Sequence, residues 1–243
     1  LGFDCRERGP MNILDRLMAV DVDRISHDEI SHDPRPIRLL KSDFLERFTH
    51  VTPQAVLIIW LPVVAVFSTI GALNWPAGAS PLWYGVAFLA GIALIWTFIE
   101  YVVHRFVFHF QPRSRTQWQL LFLFHGVHHY QPHVKTRLVM PPAVSIPGAL
   151  LFYALFYLVL DVLLGLPFLV APTFAGTVLG YVAYDMIHYA THHLPVKGPV
   201  MKFLKRHHME HHFKTPDARF GVSTSFWDRV FHTEPEAAGS GRP

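Results

Sequence analysis

VTPQAVLIIWLPVVAVFSTIGALNWPAGASPLWYGVAFLAGIALIWTFI, residues 51–99, contains no Asp, Glu, Lys or Arg. A membrane-spanning helix needs roughly 20 predominantly apolar residues, so the run is too long for one helix and about right for two. NWPAGASP at 74–81 supplies a turn signal near its middle. A second run, 138–184, carries Asp161 as its one charged residue, and GLP at 165–167 divides it in the same way. These runs predict two helical hairpins, with spans over 52–73, 82–103, 144–164 and 168–187. The expected fold is an all-α integral membrane protein of four transmembrane helices in two hairpins.

The composition fits that class. Of 243 residues 51% are hydrophobic and only 16% charged, which is unusual for a soluble domain. The chain carries 21 Lys and Arg: 8 before residue 51, 5 between 104 and 142, and 8 after 188. Neither short turn has any. By the positive-inside rule the N-terminus, the 104–142 loop and the C-terminal segment lie together on the cytoplasmic side. A very apolar soluble core would give similar runs but would not explain the one-sided charge. The first 47 residues are charged and broken by Pro, which is not a secretory leader. A single cysteine, Cys5, excludes an internal disulfide and any Cys-based metal site. If a metal is bound here, nitrogen and oxygen ligands must hold it.

Twelve of the seventeen histidines gather in four clusters at or just beyond the predicted helix ends, all on the expected cytoplasmic side, which is where a metal site built from them would lie. EYVVHRFVFH holds His104 and His109, and HGVHH holds His125, His128 and His129. YDMIHYATHH holds His188 and His192, and HHMEHH holds His208, His211 and His212. Residues three and four apart share a helical face, so HxxHH, HxxxH and HxxHH each aim their imidazoles together. His104 and His109 are five apart, about 140° around an ideal helix. They therefore serve different metals or sit where the helix is distorted. A lone interfacial histidine is more often a hydrogen-bonded side chain than a ligand, but ten at coherent spacing point to metal. A pH switch needs few such residues. Ten imidazoles exceed the four to six ligands of one ion and imply two metals, which could be Zn, Cu, Fe or Ni by ligand type alone. His27, His32, His50 and His232 read as surface residues, and His133, His193 and His207 as neighbours outside the repeating spacing.

Three carboxylates are placed to orient these rings. Glu100 is four residues before His104 and Asp185 three before His188, so each can accept the distal ring N–H of its histidine. A charge near a membrane helix end is costly unless it is used. Glu210 lies between two ligands and either joins this group or faces solvent. WQLLFLF at 118–124 is apolar nearly all round, as suits an interfacial helix, the wall of an acyl tunnel or the core of the cap. Arg137 and the run Lys202, Lys205, Arg206 either hold a polar head group or form a solvated positive face.

EYVVHRFVFH, HGVHH followed by RLVMPP, YDMIHYATHH, and HHMEHHFK followed by FGVSTSFWDRVF together resemble the fatty acid hydroxylase superfamily of membrane diiron enzymes. The likeness is strongest to its fatty acid 2-hydroxylase branch. It runs from about residue 36 to 231, leaving 1–35 as a disordered or interfacial tail, 36–232 as the hydroxylase-like membrane domain and 233–243 as a C-terminal tail. The resemblance implies a cytosolic helical cap that holds a histidine-rich dimetal site, with two Fe ions as cofactors held by the ten histidines and O2 as co-substrate; Zn is able to occupy the same sites. It implies hydroxylation at carbon 2 of a fatty acid or of the acyl chain of a sphingolipid. The roughly 35 residues before the match cannot hold a cytochrome b5 domain, and the sequence has no Gly-rich dinucleotide fingerprint. The expected partners are thus a membrane lipid and a separate electron donor, such as a ferredoxin or cytochrome b5 with its reductase, and no nucleic acid. Sterol or carotenoid hydroxylation and lipid desaturation use the same scaffold. A non-enzymatic metal carrier would place its ligands near the bilayer midplane rather than at one edge.

Overall fold

The computed structural model describes residues 12–26 and 29–235. Among these the secondary structure is helical, apart from one isolated bridge between Met18 and Leu40. In chain order the helices are α1 (Ile13–Leu17), α2 (Asp43–Arg47), α3 (Pro53–Leu73), α4 (Pro81–Ala90), α5 (Thr97–Val103) and α6 (Arg115–Leu121). They continue with α7 (Val127–Tyr130), α8 (Pro142–Phe156), α9 (Val170–His193), α10 (Pro199–Phe213) and α11 (Phe226–Val230). Turns of π-helix extend several of them, at Gly91–Trp96, His104–Phe108, Phe122–Gly126 and Tyr157–Leu163.

Four continuous helices are long and apolar enough to cross a membrane among the described residues: Pro53–Leu73, Pro81–Phe108, Pro142–Leu163 and Pro167–His193. Pro opens all four, where its missing N–H costs no helical bond. Thr52 and Ser80 cap the first two through the amides of Ala55 and Leu82. The turns between them rest on positive φ at Gly78 and Gly165, conformations that glycine adopts without strain. Two spans run further than the hydrophobic pattern predicts. The second reaches Phe108 instead of 103 and the fourth His193 instead of 187, so histidines continue helices that their apolar residues began. Arg105 consequently sits in the last turn of a span, where its guanidinium donates to the Tyr101 hydroxyl at 2.8 Å and lies 5.0 Å from the Phe106 ring centroid.

The chain forms two compact units. The larger part of the spanning helices belongs to Lys41–Ile99 and Lys135–Tyr189. Here α9 is mostly buried while the other spans are mostly exposed. Glycines let it approach closely: a Cβ at Gly176 would fall 2.0 Å from the Phe88 carbonyl oxygen, and one at Gly180 would fall 2.5 Å from the Cβ of Trp96. Small residues at such crossings are how membrane helices gain packing without a hydrophobic drive.

The other unit comprises the described parts of Leu1–Leu40, Glu100–Val134 and Ala190–Pro243. Its core gathers Met18, Val22 and Leu39 around Trp118, Leu121, Phe122 and Val127. Much of the segment expected as a tail is therefore folded. Arg115 pairs with Asp23 at 2.8 Å and with Asp15, and the Gln131 side chain bridges the Arg35 carbonyl and the Ile37 amide. WQLLFLF divides its faces: Trp118, Leu121 and Phe122 are buried in this core, while Leu120 and Phe124 are exposed.

Candidate metal centre

Five histidines of the second unit converge as one set: His104 and His109 at the end of the second span, His125 and His129 on either side of the α7 start, and His211 on α10. One ring nitrogen from each lies within 4.8 Å of the others. Nε2 of His104 is 3.2 Å from that of His125, His125 is 3.0 Å from His129, and His109 is 3.1 Å from His211. The five-residue gap between His104 and His109 is resolved by backbone shape. Residues 104–108 form a π turn, and i→i+5 bonding stacks residues five apart on one face. Their ring centroids are 4.9 Å apart.

A second set in the same unit joins His128, His192, His208 and His212. Nε2 distances are 3.0 Å for His128–His212, 2.9 Å for His192–His208 and 3.1 Å for His208–His212. His188 precedes His192 by one turn on α9, on the same helical face, and is buried. Each HxxHH motif is thus shared between sets. His125 and His129 face the first and His128 the second, while His208 and His212 face the second and His211 the first. The i, i+4 pair stays together and the middle histidine crosses over.

The chemistry of these donors fits a metal ion in each set. His104 Nδ1 donates to the Phe220 carbonyl and His211 Nδ1 to the Ala218 carbonyl at 2.7 Å, so each Nε2 keeps a lone pair turned inward. Burial first, and the neighbouring imidazoles second, hold the pKa values of His109, His125, His129, His211 and His212 below the ordinary 6.5, which keeps the rings neutral. Convergent lone pairs repel unless a cation lies between them. With metal–nitrogen bonds of about 2.0–2.1 Å, adjacent ligands on one ion are about 2.9–3.4 Å apart, which matches the observed nitrogen separations.

The carboxylates act one step away from where spacing puts them. Buried Glu100 accepts the amides of Val222 at 2.5 Å and Ser223 at 2.8 Å and the Ser223 hydroxyl, rather than the His104 ring. The Phe220 carbonyl two residues earlier in that loop receives His104 instead. Asp185 accepts the Met140 amide at 3.3 Å and so ties RLVMPP to α9. Glu210 pairs with Arg219 at 3.2 Å and with Lys214 at 3.5 Å. Arg137 is buried against Glu46 at 2.5 Å and His50 at 3.1 Å, so it forms no solvated face. His50 is half-buried in that group and not a plain surface residue. His32 and His232 are exposed, His133 stacks on His32 at 6.0 Å, and His27 lies outside the described residues. His207 approaches Asp228 at 3.2 Å. Spacing did not single out Asp228, although a carboxylate between aromatics in FGVSTSFWDRVF is a signal of burial.

Four apolar spans and two imidazole sets of this kind define an all-helical membrane protein with two histidine clusters able to hold metal. The sequence profile described as fatty acid hydroxylase matches residues 89–233, and the chain belongs to that family. It is 40% identical over 228 residues to a fatty acid 2-hydroxylase of Mus musculus, covering 85% of this chain and 59% of that protein. It is 38% identical to a dihydroceramide fatty acyl 2-hydroxylase of Arabidopsis thaliana, covering 82% of this chain and 80% of the relative. A solved structure titled full-length scs7p, with only the hydroxylase domain visible, superposes with a TM-score of 0.72 at 38% identity, covering 80% of this chain and 71% of that one.

Proposed function

We propose that this chain hydroxylates a long acyl chain at carbon 2, on a fatty acid or within a sphingolipid, with two iron ions and O2. The observation that carries the reading is the pair of convergent all-imidazole sets, in a chain similar to enzymes named for 2-hydroxylation. His104, His109, His125, His129 and His211 hold one ion. His128, His192, His208 and His212 hold the other, and His188, one turn before His192 on the same face, completes that set. When bound, the two irons supply reduction of O2 by two electrons and two protons, so that one oxygen enters a C–H bond and the other leaves as water. Oxygen insertion into a C–H bond does not require a side chain to take a proton from carbon, so no general base is needed. The protein's part is to bind, orient and exclude water. The Phe220 and Ala218 carbonyls fix the tautomers of His104 and His211, and burial of the rings keeps water out.

Glu100, Asp185 and Glu210 support this arrangement through the segments they bind. The electrons come from a donor protein such as a ferredoxin or cytochrome b5, which reaches the metals from the cytoplasmic side. Expression in a host lacking 2-hydroxy lipids tests the reading. Mass spectrometry of the lipids should show 2-hydroxy acyl chains with the native chain and none with His128→Ala. Unsaturated or hydroxysterol products in their place would overturn it.

A further inference from the structure

We propose that Asp228 is a positioning residue for the first histidine set, acting on His104 and His211 through the loop at 218–223 and touching neither ring. The inference rests on the two-ion reading above. His104 and His211 are oriented by carbonyls two residues apart, those of Phe220 and Ala218. This stretch lies outside any helix, so helical bonding does not fix where those oxygens point.

Asp228 does. It is fully buried, and each of its oxygens takes two partners. One accepts the Phe220 amide at 2.8 Å and the Thr233 hydroxyl at 2.7 Å. The other accepts the Gly221 amide at 2.9 Å and lies 3.2 Å from His207 Nε2. Four donors fill the acceptor capacity of a carboxylate. Those hydrogen bonds outweigh burial, which alone would raise its pKa, and hold the group in its charged form below the ordinary 3.8. Glu100 grips the next two residues, so consecutive amides from 220 to 223 all end on a buried carboxylate.

The loop has no slack. A Cβ at Gly221 would fall 1.9 Å from the Thr224 carbonyl oxygen and 2.9 Å from Asp228 Oδ2. Arg219, at φ 58°, donates its amide to the Thr233 carbonyl at 3.0 Å, while Thr233 also meets the Tyr101 hydroxyl at 3.1 Å. Moving Asp228 therefore moves the Phe220 and Ala218 carbonyls, and with them two ligands of the first ion.

The test reads metal, not turnover. Native protein in detergent is loaded with zinc, titrated with a chelator and analysed for zinc per chain by mass spectrometry. Asp228→Asn keeps the shape but turns an NH2 toward a loop amide. It should release one of two zinc ions at a chelator level about 10–100-fold lower, the usual cost of losing an outer partner. The other ion should stay bound as in the native chain. If Asp228→Asn does not fold, Thr233→Val removes one donor and leaves both loop amides in place, and it should ease release of the same single ion. Unchanged release from a folded Asp228→Asn overturns the proposal, as does equal loss of both ions; with Thr233→Val as the folded variant, unchanged release overturns it. A native chain that never binds two zinc ions overturns the two-ion reading itself, and the proposal with it.

Discussion

At the scale of single residues, the histidines that converge in the two sets were legible because so many imidazoles three and four apart are seldom gathered except around metal, whereas their supports were not. His104 and Phe220 are 116 residues apart, and no local spacing reveals that a carbonyl, and not Glu100, takes the ring N–H. His211→Ala should abolish activity and free one metal ion, while His232→Ala, at an exposed position, should leave both unchanged. Glu100→Gln should lie between, with about a 10–100-fold loss in metal affinity or rate; a fully active variant would show that the loop does not need the carboxylate. Zinc competes well for imidazole sites, so purified protein loaded only with zinc should bind metal and give no product, and turnover without iron would refute the redox mechanism. Acid sensitivity follows from the rings. Their folded pKa values lie below the ordinary 6.5, so as pH falls through about 6.5 the unfolded chain takes up protons that the folded chain refuses, and stability is lost. The metal-free protein in detergent should melt at progressively lower temperature from about pH 7.5 to 5.5; a flat profile would mean the rings are not shielded.

Among the elements, the spans were readable from hydropathy because lipid requires length and apolarity, but backbone irregularity leaves no such mark. HRFVFH looks ill-suited to one metal until residues 104–108 wind as a π turn. If it is the shared face that counts, deleting Val107 brings His109 to an i+4 spacing that an ordinary α-turn also aligns. That variant should retain much of its zinc, whereas inserting one Ala after Val107 puts the rings on different faces and should release an ion. Equal retention by both would show that the turn has no bearing on the site. Packing was equally hidden, since a glycine in an apolar helix does not say what it faces. Gly176→Ala forces a methyl into the Phe88 carbonyl, and overpacking of this kind costs about 1–3 kcal/mol. Its melting temperature should fall by several degrees, while Gly85→Ala, with open space around it, should melt as the native chain does.

Across the whole molecule, the two-hairpin plan could be read from two long apolar runs, charged only at Asp161, and two turns, while the fold of residues 12–26 and 29–40 could not. That segment is held by Arg115, Trp118 and Gln131 from far along the chain, and its own charged, Pro-broken composition resembles that of a tail. Orientation rests on charge. Of 21 Lys and Arg, only Arg105 falls within a span, in its final turn, and none lies in the 74–80 or 165–166 turns. Basic loops are retained on the cytoplasmic side because translocating them is unfavourable. The two turns should then face outward, and the histidine-bearing helix ends inward, where soluble redox donors are found. Cys5 is the one native cysteine, so after Cys5→Ser a single thiol can be placed at will. Ala79→Cys in the first turn should react with a membrane-impermeant maleimide on intact cells, and Lys214→Cys just beyond α10 should react only after permeabilisation. The reverse pattern would put the metals on the far side from any cytosolic donor and would overturn the proposed electron route, while leaving the two histidine sets intact.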